Sequence, residues 1–524
     1  MTDKKTERSM TTAQELGAIV STSRKIMRKD KGLNGDLDRL PVLTWVMFLK
    51  FLDDLERIRE TKAILDSKVF IPAIEAPYRW RDWAAIEGSI TGQELISFIN
   101  NEKSIIPDGT EGKGLFSYLR DLTGTNETVD RCGVISVVFS GLTNRMTNGY
   151  LLRDVIDKVN GIHFNSSEEI HTLSRLYETM LREMRDSAGD SGEFYTPRPV
   201  VKFIVEVMAP QLGESILDPA CGTGGFLVES FEFLDKQCES IEQHATLQSN
   251  SIFGGEPKSL PHLLVQMNLL LHGLESPQID PGNSLRFPLK EIGDKDRVDV
   301  ILTNPPFGGE EEKGILGNFP EDMQTAETAL LFLQLIMRKL KRPGHSSQNG
   351  GRAAVVVPNG TLFSDGIGAR IKEELINNFN LHTIVRLPEG VFSPYTDIAA
   401  NILFFDRSQP TTDVWFYEIP TPEGRKRYTK TKPLEVEQFT DCIDWWKARK
   451  LGKYSWKATK DEIIKYNSEN KLESVNLDIK NPNSLEVLEH QDPSELIKSI
   501  INKEKKVLHL MNELKDLINT SENN

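Results

Sequence analysis

Cysteine is scarce in this chain of 524 residues, and its four cysteines lie far apart, at Cys132, Cys221, Cys238 and Cys442. None belongs to a Cys-x-x-Cys pair, and no histidine-rich segment accompanies them. Because disulfide frameworks and structural zinc sites need clustered ligands, this spacing argues against both. We therefore expect no metal site, and we expect the chain to work in a reducing compartment, the cytoplasm.

Long hydrophobic runs are also missing. The most apolar stretch, residues 40–49, is followed by Lys50 and then by Asp53 and Asp54. It is shorter than the roughly 20 residues that span a bilayer, so it predicts a buried helix and no membrane partner. The opening sequence MTDKKTERSM is charged and has no apolar core, so no secretory signal is predicted.

Positive charge is in the minority, because 63 Lys and Arg residues face 77 Asp and Glu residues, for a net charge of −14. Proteins that bind DNA tightly on their own carry a basic surface, since neutralising phosphates supplies much of the affinity. The acidic balance argues against a chain that grips nucleic acid unaided. An acidic chain can still act on DNA if a partner protein binds the duplex.

The chain is too long for one hydrophobic core, so several domains are expected. We predict a helical N-terminal domain (1–165), an α/β domain (166–425) and a C-terminal region (426–524). In the first domain, apolar residues at three- and four-residue spacing predict a long amphipathic helix: Trp45, Phe48, Leu49, Leu52, Leu55 and Ile58. In the last, Asp492 and Glu495 predict a capped helix with heptad spacing, which either docks a partner or packs on its own domain.

The middle zone alternates short apolar runs with helical segments. Strands are predicted at 215–217, 251–255, 298–303, 352–357, 383–387, 399–405 and 414–418, and helices at 199–208, 225–237, 260–272, 326–341 and 367–378. This alternation predicts a doubly wound, Rossmann-like domain with a mostly parallel seven-stranded sheet. The short loop between the last two strands predicts an antiparallel hairpin at the sheet edge.

A glycine-rich turn follows the first predicted strand, in the string DPACGTGGF at positions 218–226. Gly222, Gly224 and Gly225 let backbone approach a ligand, and the helix that begins there offers N–H donors. In a doubly wound sheet this turn lies at the topological switch point, where ligands bind. No Gly-Lys-Ser/Thr follows, which argues against a nucleoside triphosphate. Glu256 ends the next strand and can accept the ribose hydroxyls of a nucleoside, the alternative being a plain surface carboxylate.

A second loop, Asn304-Pro305-Pro306-Phe307, follows the strand at 298–303. Adjacent prolines remove two N–H donors, so carbonyl acceptors face outward beside the Asn304 amide and the flat ring of Phe307. Acceptors beside a ring suit a planar amine, although any Pro-Pro pair can also be a plain turn. A third string, GEFYTPRP at 192–199, would bring backbone and the Thr196 hydroxyl near the glycine turn; alone it is a helix start.

In this order, the strings GEFYTPRPVV, DPACGTGGF, GGEPK, NPPF, GRAAVVVPNGTLF and IVRLPEGVFSPYTDIAANILFF resemble the N6-adenine DNA methyltransferases. The resemblance is to the modification (M) subunit of type I restriction-modification systems and covers roughly residues 192–405. The family's cofactor is S-adenosylmethionine, whose methyl group passes to adenine N6.

The resemblance implies a role for each matching residue. Cofactor binding falls to Glu193, Phe194, Tyr195, Thr196, Pro197, Arg198, Thr223, Gly224, Gly225 and Glu256, with Asp218 and Phe226 shaping the same pocket. Asn304, Pro305, Pro306 and Phe307 would hold the target adenine and carry the catalysis. One departure is Asn283, which stands in GNSL where such enzymes commonly carry Asp; its amide can still contact the cofactor.

The resemblance also implies partners: double-stranded DNA, a specificity (S) subunit, a second copy of the M subunit and, as a possible addition, a restriction (R) subunit. That assembly explains how an acidic chain works on DNA. Two alternatives stay open. The planar amine could be N4 of cytosine or another amine, or the chain could be a catalytically idle scaffold or regulatory subunit that binds the cofactor.

Overall fold

The structure, a computed structural model, describes residues 13–86, 88–123, 129–162, 196–309, 311–344, 349–393, 396–422, 424–429, 431–483, 504–505 and 511. The chain divides into two compact units, Met1–Asn481 and Pro482–Asn524. The predicted C-terminal helix, with Asp492 and Glu495, lies outside the described residues. None of the described helices is long and apolar enough to cross a membrane.

The N-terminal part of the first unit is helical, as the sequence predicts. Its elements are α1 (Ala13–Met27), α2 (Asp36–Leu65), α3 (Trp80–Trp83), α4 (Gly92–Asn100), a ribbon of β1 (Lys103–Ile105) and β2 (Glu111–Lys113), α5 (Leu115–Arg120), α6 (Val129–Ser140) and α7 (Gly149–Asn160). The predicted amphipathic helix is α2. Its Trp45 and Phe48 are buried, and the Trp45 ring lies edge-on to Phe116 at 5.2 Å.

A large sheet follows, and every strand predicted for it is present. In chain order the strands are β3 (Ile216–Asp218), β4 (Ile252–Gly255), β5 (Gln278–Asp280), β6 (Val300–Thr303), β7 (Arg352–Pro358), β8 (Asn380–Arg386), β9 (Ala400–Asp406), β10 (Asp413–Glu418) and β11 (Ser455–Thr459). The nine strands lie in the order β11-β10-β8-β9-β7-β6-β3-β4-β5. Seven of these strands were predicted, and the two others, β5 and β11, were not. The mostly parallel, Rossmann-like class is confirmed.

Helices cover both faces of this sheet, as a doubly wound fold requires. One face carries α8 (Arg198–Met208), α9 (Gly225–Asp235) and α11 (Ser259–Leu271), and the other carries α13 (Thr328–Lys339) and α15 (Ile367–Asn378). The other α-helices and strands described are α10 (Ile241–Asn250), α12 (Lys313–Leu316), α14 (Asn359–Phe363), α16 (Thr440–Lys447), α17 (Lys460–Ile463) and a ribbon of β12 (Ile464–Tyr466) and β13 (Leu472–Val475).

The predicted hairpin between the strands at 399–405 and 414–418 is wrong. Strand β9 is antiparallel and lies between β7 and β8, whereas β10 runs parallel to β8 on its far side. Nearly all of β9 is buried, which suits an interior position rather than an edge. The six residues between the two strands reach about 20 Å when extended, enough to cross one strand at about 4.8 Å spacing.

Helix α11 belongs to two hydrophobic cores. Its Leu264 and Met267 pack with the N-terminal helices, while Val265 and Leu269 pack under the sheet. Just beyond it, Glu275 accepts a hydrogen bond from Arg59 of α2 at 2.9 Å. The N-terminal helices are therefore joined to the sheet within one unit.

Candidate active site

The two motif loops leave adjacent strands at the same edge of the sheet. Strands β3 and β6 are parallel, with Ile216 opposite Val300. At their ends, the Thr303 hydroxyl donates to Asp218 Oδ1 at 2.6 Å. The glycine-rich loop and the Asn-Pro-Pro-Phe loop therefore begin side by side, at the carboxyl edge where doubly wound sheets bind ligands.

Asp218 and Cys221 are buried at the base of the first loop. Complete burial raises the pKa of Asp218 to about 7, against the lowering effect of hydrogen bonds from Thr303 and from the Ala220 N–H. Burial also raises the pKa of the Cys221 thiol well above its ordinary value, and the Asp218 and Glu256 carboxyls raise it further. Cys221 is therefore protonated at neutral pH and is unsuited to act as a nucleophile.

The glycine turn depends on one position that only glycine fits. Gly224 caps α9 with a φ of 84°, and a Cβ there would lie 2.5 Å from Val265 Cγ2. Asn268 of α11 holds the same turn by donating from Nδ2 to the Thr223 carbonyl at 3.0 Å. Gly225 differs, since a Cβ there would meet only Val201, at 3.7 Å.

We expect Gly224→Ala to lower the free energy of unfolding by about 2–4 kcal/mol, the sum of a left-handed backbone penalty and overpacking. The matched variant Gly225→Ala should change that free energy by no more than about 1 kcal/mol, because alanine suits a helix start. Urea unfolding of both variants measures the difference. Equal losses from the two substitutions would contradict this account of the turn.

Glu256 closes the other side of the glycine turn. Its Oε2 accepts from the Gly222 N–H at 3.1 Å, and its Oε1 accepts from the Lys258 N–H at 2.8 Å. The residue is only 5% exposed. The carboxylate is thus fixed in orientation beside the turn, as a side chain that selects ribose hydroxyls would need to be.

Asn304 presents an unused acceptor. Its Nδ2 donates to the Thr196 hydroxyl at 3.0 Å. Its Oδ1 is buried and has no hydrogen-bond partner among the described residues. An unsatisfied buried acceptor costs about 1–3 kcal/mol, and a ligand that donates a hydrogen bond to it would remove that cost.

Phe307 is the last residue of the same loop. Its ring is partly exposed and lies edge-on to the Phe392 ring, with centroids 5.5 Å apart and planes at 76°. An edge-on neighbour supports a ring while leaving a face for stacking.

The structure brings together most of the predicted residues that it describes. Arg198 donates to the Gly225 carbonyl at 3.3 Å, which joins the start of α8 to the glycine turn. Thr196, which precedes Pro197, accepts the hydrogen bond from Asn304. Pro305 is buried, and Pro306 is partly exposed beside Phe307. Glu193, Phe194 and Tyr195 lie outside the described residues.

Two predicted cofactor residues have other contacts. Asn283 accepts from the Leu285 N–H at 2.9 Å and donates to Glu311 at 3.3 Å. The neighbouring Ser284 hydroxyl does reach the glycine loop, donating to the Pro219 carbonyl at 2.6 Å. Phe226 is buried in the core under the sheet.

Three residues at the site escaped the sequence reasoning: Asn268, Thr303 and Phe392. Asn268 is a buried amide in the apolar run LLVQMNLLL, and Thr303 is the polar end of an apolar strand. A polar residue within an apolar segment could have been recognised from the sequence. Phe392 has no such feature apart from its place in a string that matches the family. Among the described residues, no cluster of His, Cys, Asp and Glu is placed to hold a metal ion.

Comparison with known proteins identifies the family. The family model for N-6 DNA methylases matches residues 168–482. The methylase subunit of the type I restriction enzyme EcoEI, from Escherichia coli, is 46% identical over 512 residues, covering 96% of this chain and 97% of that protein.

Solved structures agree. A modification subunit of a candidate type I restriction enzyme from Vibrio vulnificus YJ016 is 76% identical, with a TM-score of 0.88 over 92% of this chain and 100% of that one. A second structure, from work on complex assembly in a type I restriction-modification system, is 37% identical, with a TM-score of 0.70 over 97% of this chain and 99% of that one. The chain therefore belongs to the N-6 DNA methylase family, as an adenine-specific DNA methyltransferase of the type I modification-subunit kind.

Proposed function

We propose that this chain transfers the methyl group of S-adenosylmethionine to N6 of an adenine turned out of duplex DNA, within a complex that contains a specificity subunit. One observation carries the proposal. Asn304 Oδ1 is a buried acceptor without a partner in the described part of the chain, next to the glycine turn. An incoming amine would satisfy it.

The residues of the turn fit the cofactor. A carboxylate whose orientation is fixed beside the turn by backbone N–H groups suits the hydroxyls of a ribose, so we propose that Glu256 accepts them. Gly222 to Gly225 leave room for close backbone approach. We propose that Glu193 to Arg198 and Asn283 also contact the cofactor. When bound, S-adenosylmethionine supplies an electrophilic methyl group on a sulfonium.

The second loop would bind the target base. Asn304 Oδ1 and the Pro305 carbonyl accept the two hydrogens of the adenine amine, which favours the tetrahedral nitrogen of the transition state. Pro306 keeps that backbone rigid. Phe307 stacks on the base and replaces part of the stacking lost from the duplex, about 1–3 kcal/mol. The chain then holds the amine in line with the methyl group, and positioning supplies most of the rate.

The base must leave the helix, because its amine is paired inside the duplex. With a net charge of −14, the chain is expected to rely on partners to hold DNA. We propose a specificity subunit, a second copy of this chain and, for cleavage, a restriction subunit, all acting in the cytoplasm. The similarity to a type I assembly structure supports this arrangement.

Tritiated-methyl transfer to duplex DNA by the chain purified with its specificity subunit tests the proposal. The target sequence comes from methylome sequencing of the host with and without the two genes. We expect N6-methyladenine after nucleoside digestion, and only weak DNA binding by the chain alone. Methyl label in N4-methylcytosine would refute the adenine assignment, and no transfer by the complex would support the scaffold alternative.

A further inference from the structure

We propose that a basic strip, defined as Arg425, Lys426, Arg427 and Lys432, binds the DNA phosphates that flank the target adenine. This inference rests on the proposed function and adds a substrate contact to it. The segment 425–432 reads RKRYTKTK, with five basic residues and no acidic one, in a chain that is acidic overall. Its remaining basic residue, Lys430, lies outside the described residues.

The strip follows strand β10, whose carboxyl end lies at the same edge of the sheet as the candidate active site. Strand β10 runs parallel to β8, and β8 is antiparallel to β9, which is antiparallel to β7. Strand β7 is in turn parallel to β6. The carboxyl end of β10 at Glu418 therefore lies on the same side of the sheet as Asn304, and the strip begins seven residues later.

Tyr428 anchors the strip to the segment that precedes Phe392. The residue is only 1% exposed, and its N–H donates to the Glu389 carbonyl at 2.9 Å. At Gly390 the two segments touch so closely that a Cβ would lie 2.2 Å from the Tyr428 carbonyl oxygen. Two residues further on, Phe392 packs against Phe307. The chain of contacts from the strip to the base-stacking ring is therefore short.

The charges of the strip face outward. Arg425, Lys426 and Lys432 are exposed, and within the described ranges no ion pair engages them. Arg427 pairs with Asp397, which is itself 71% exposed. Exposed, uncompensated charges beside a base pocket match the phosphates on either side of a flipped nucleotide, because binding them releases counterions from the DNA.

The test is the triple variant Arg425→Gln, Lys426→Gln and Lys432→Gln, purified with the specificity subunit. The matched control, Arg28→Gln, Lys29→Gln and Lys31→Gln, removes equal charge from exposed residues after α1. We expect the strip variant to lower the slope of log Kd against log salt concentration by about 3, which is about one for each lost phosphate contact. The KM for DNA should rise about tenfold or more at physiological salt, while kcat and cofactor affinity stay unchanged.

The control should keep the wild-type salt slope. An unchanged slope in the strip variant, with active wild type, would overturn this inference and leave the proposed function standing. Failure of the strip variant to assemble with the specificity subunit would also overturn it, because the strip would then bind protein. Absence of any transfer by wild type would instead refute the proposed function.

Discussion

Replacing Asn304 by alanine should lower methyl transfer by about 10²–10³-fold or more, the usual cost of losing one group that stabilises developing charge. The loss should fall on kcat, because Asn304 Oδ1 is placed to accept the target amine, whereas Glu256 lies at the glycine turn where the cofactor is proposed to bind. Cofactor affinity, measured by calorimetry, should stay within about twofold of wild type. Single-turnover methylation with the assembled complex measures the rate.

Two matched variants separate chemistry from folding. Asn304→Asp keeps an acceptor oxygen, and the Thr196 hydroxyl can rotate to donate to it, so transfer should stay well above that of the alanine variant. Thr196→Val removes the hydrogen-bond partner of the Asn304 amide and should lower the rate of transfer about tenfold. Wild-type transfer by Asn304→Ala would remove Asn304 from the mechanism.

Replacing Glu256 by alanine should raise the Kd for S-adenosylmethionine about 100-fold or more. Hydrogen bonds to a charged acceptor contribute about 1.5–3 kcal/mol each, and the variant loses those to the ribose together with those that fix the turn at Gly222 and Lys258. Calorimetry with the full chain provides the Kd.

A carboxylate on the neighbouring strand provides the control. Asp280 ends β5 and accepts from Arg286 at 2.6 Å and from the Gly282 N–H at 2.8 Å. Asp280→Asn should leave the Kd within about twofold, because the substitution keeps the backbone carbonyl that accepts the Glu256 N–H. Similar losses in both variants would mean that general electrostatics, rather than a ribose contact, explains the effect.

The sequence predicted the sheet because its buried strands are continuous apolar runs between turn residues. Strand β5 was missed because two of its three residues, Gln278 and Asp280, are polar and exposed, and β11 because it follows a charged segment. The order of β9 and β10 could not be read either. Loop length alone does not reveal whether a chain folds back beside its neighbour or crosses it.

The positions of the candidate site residues could be predicted wherever they stand in one string at the end of a strand. Glu256 and Asn304 are of this kind, since their positions after β4 and β6 fix the edge on which they lie. Contacts between distant residues escaped prediction: Asn268 with Thr223, and Phe392 with Phe307. Such pairs depend on how the helices and loops settle against each other, which local patterns do not encode.

The central claim is that a methyl donor on the glycine turn meets an amine held by the loop after β6. The structure of the complex with target DNA and sinefungin, an unreactive cofactor analogue, measures this directly. The account predicts that the extruded adenine N6 lies about 2.7–3.2 Å from both Asn304 Oδ1 and the Pro305 carbonyl, with the analogue beside Glu256. An adenine that stays paired, or whose amine faces any other loop, would contradict it.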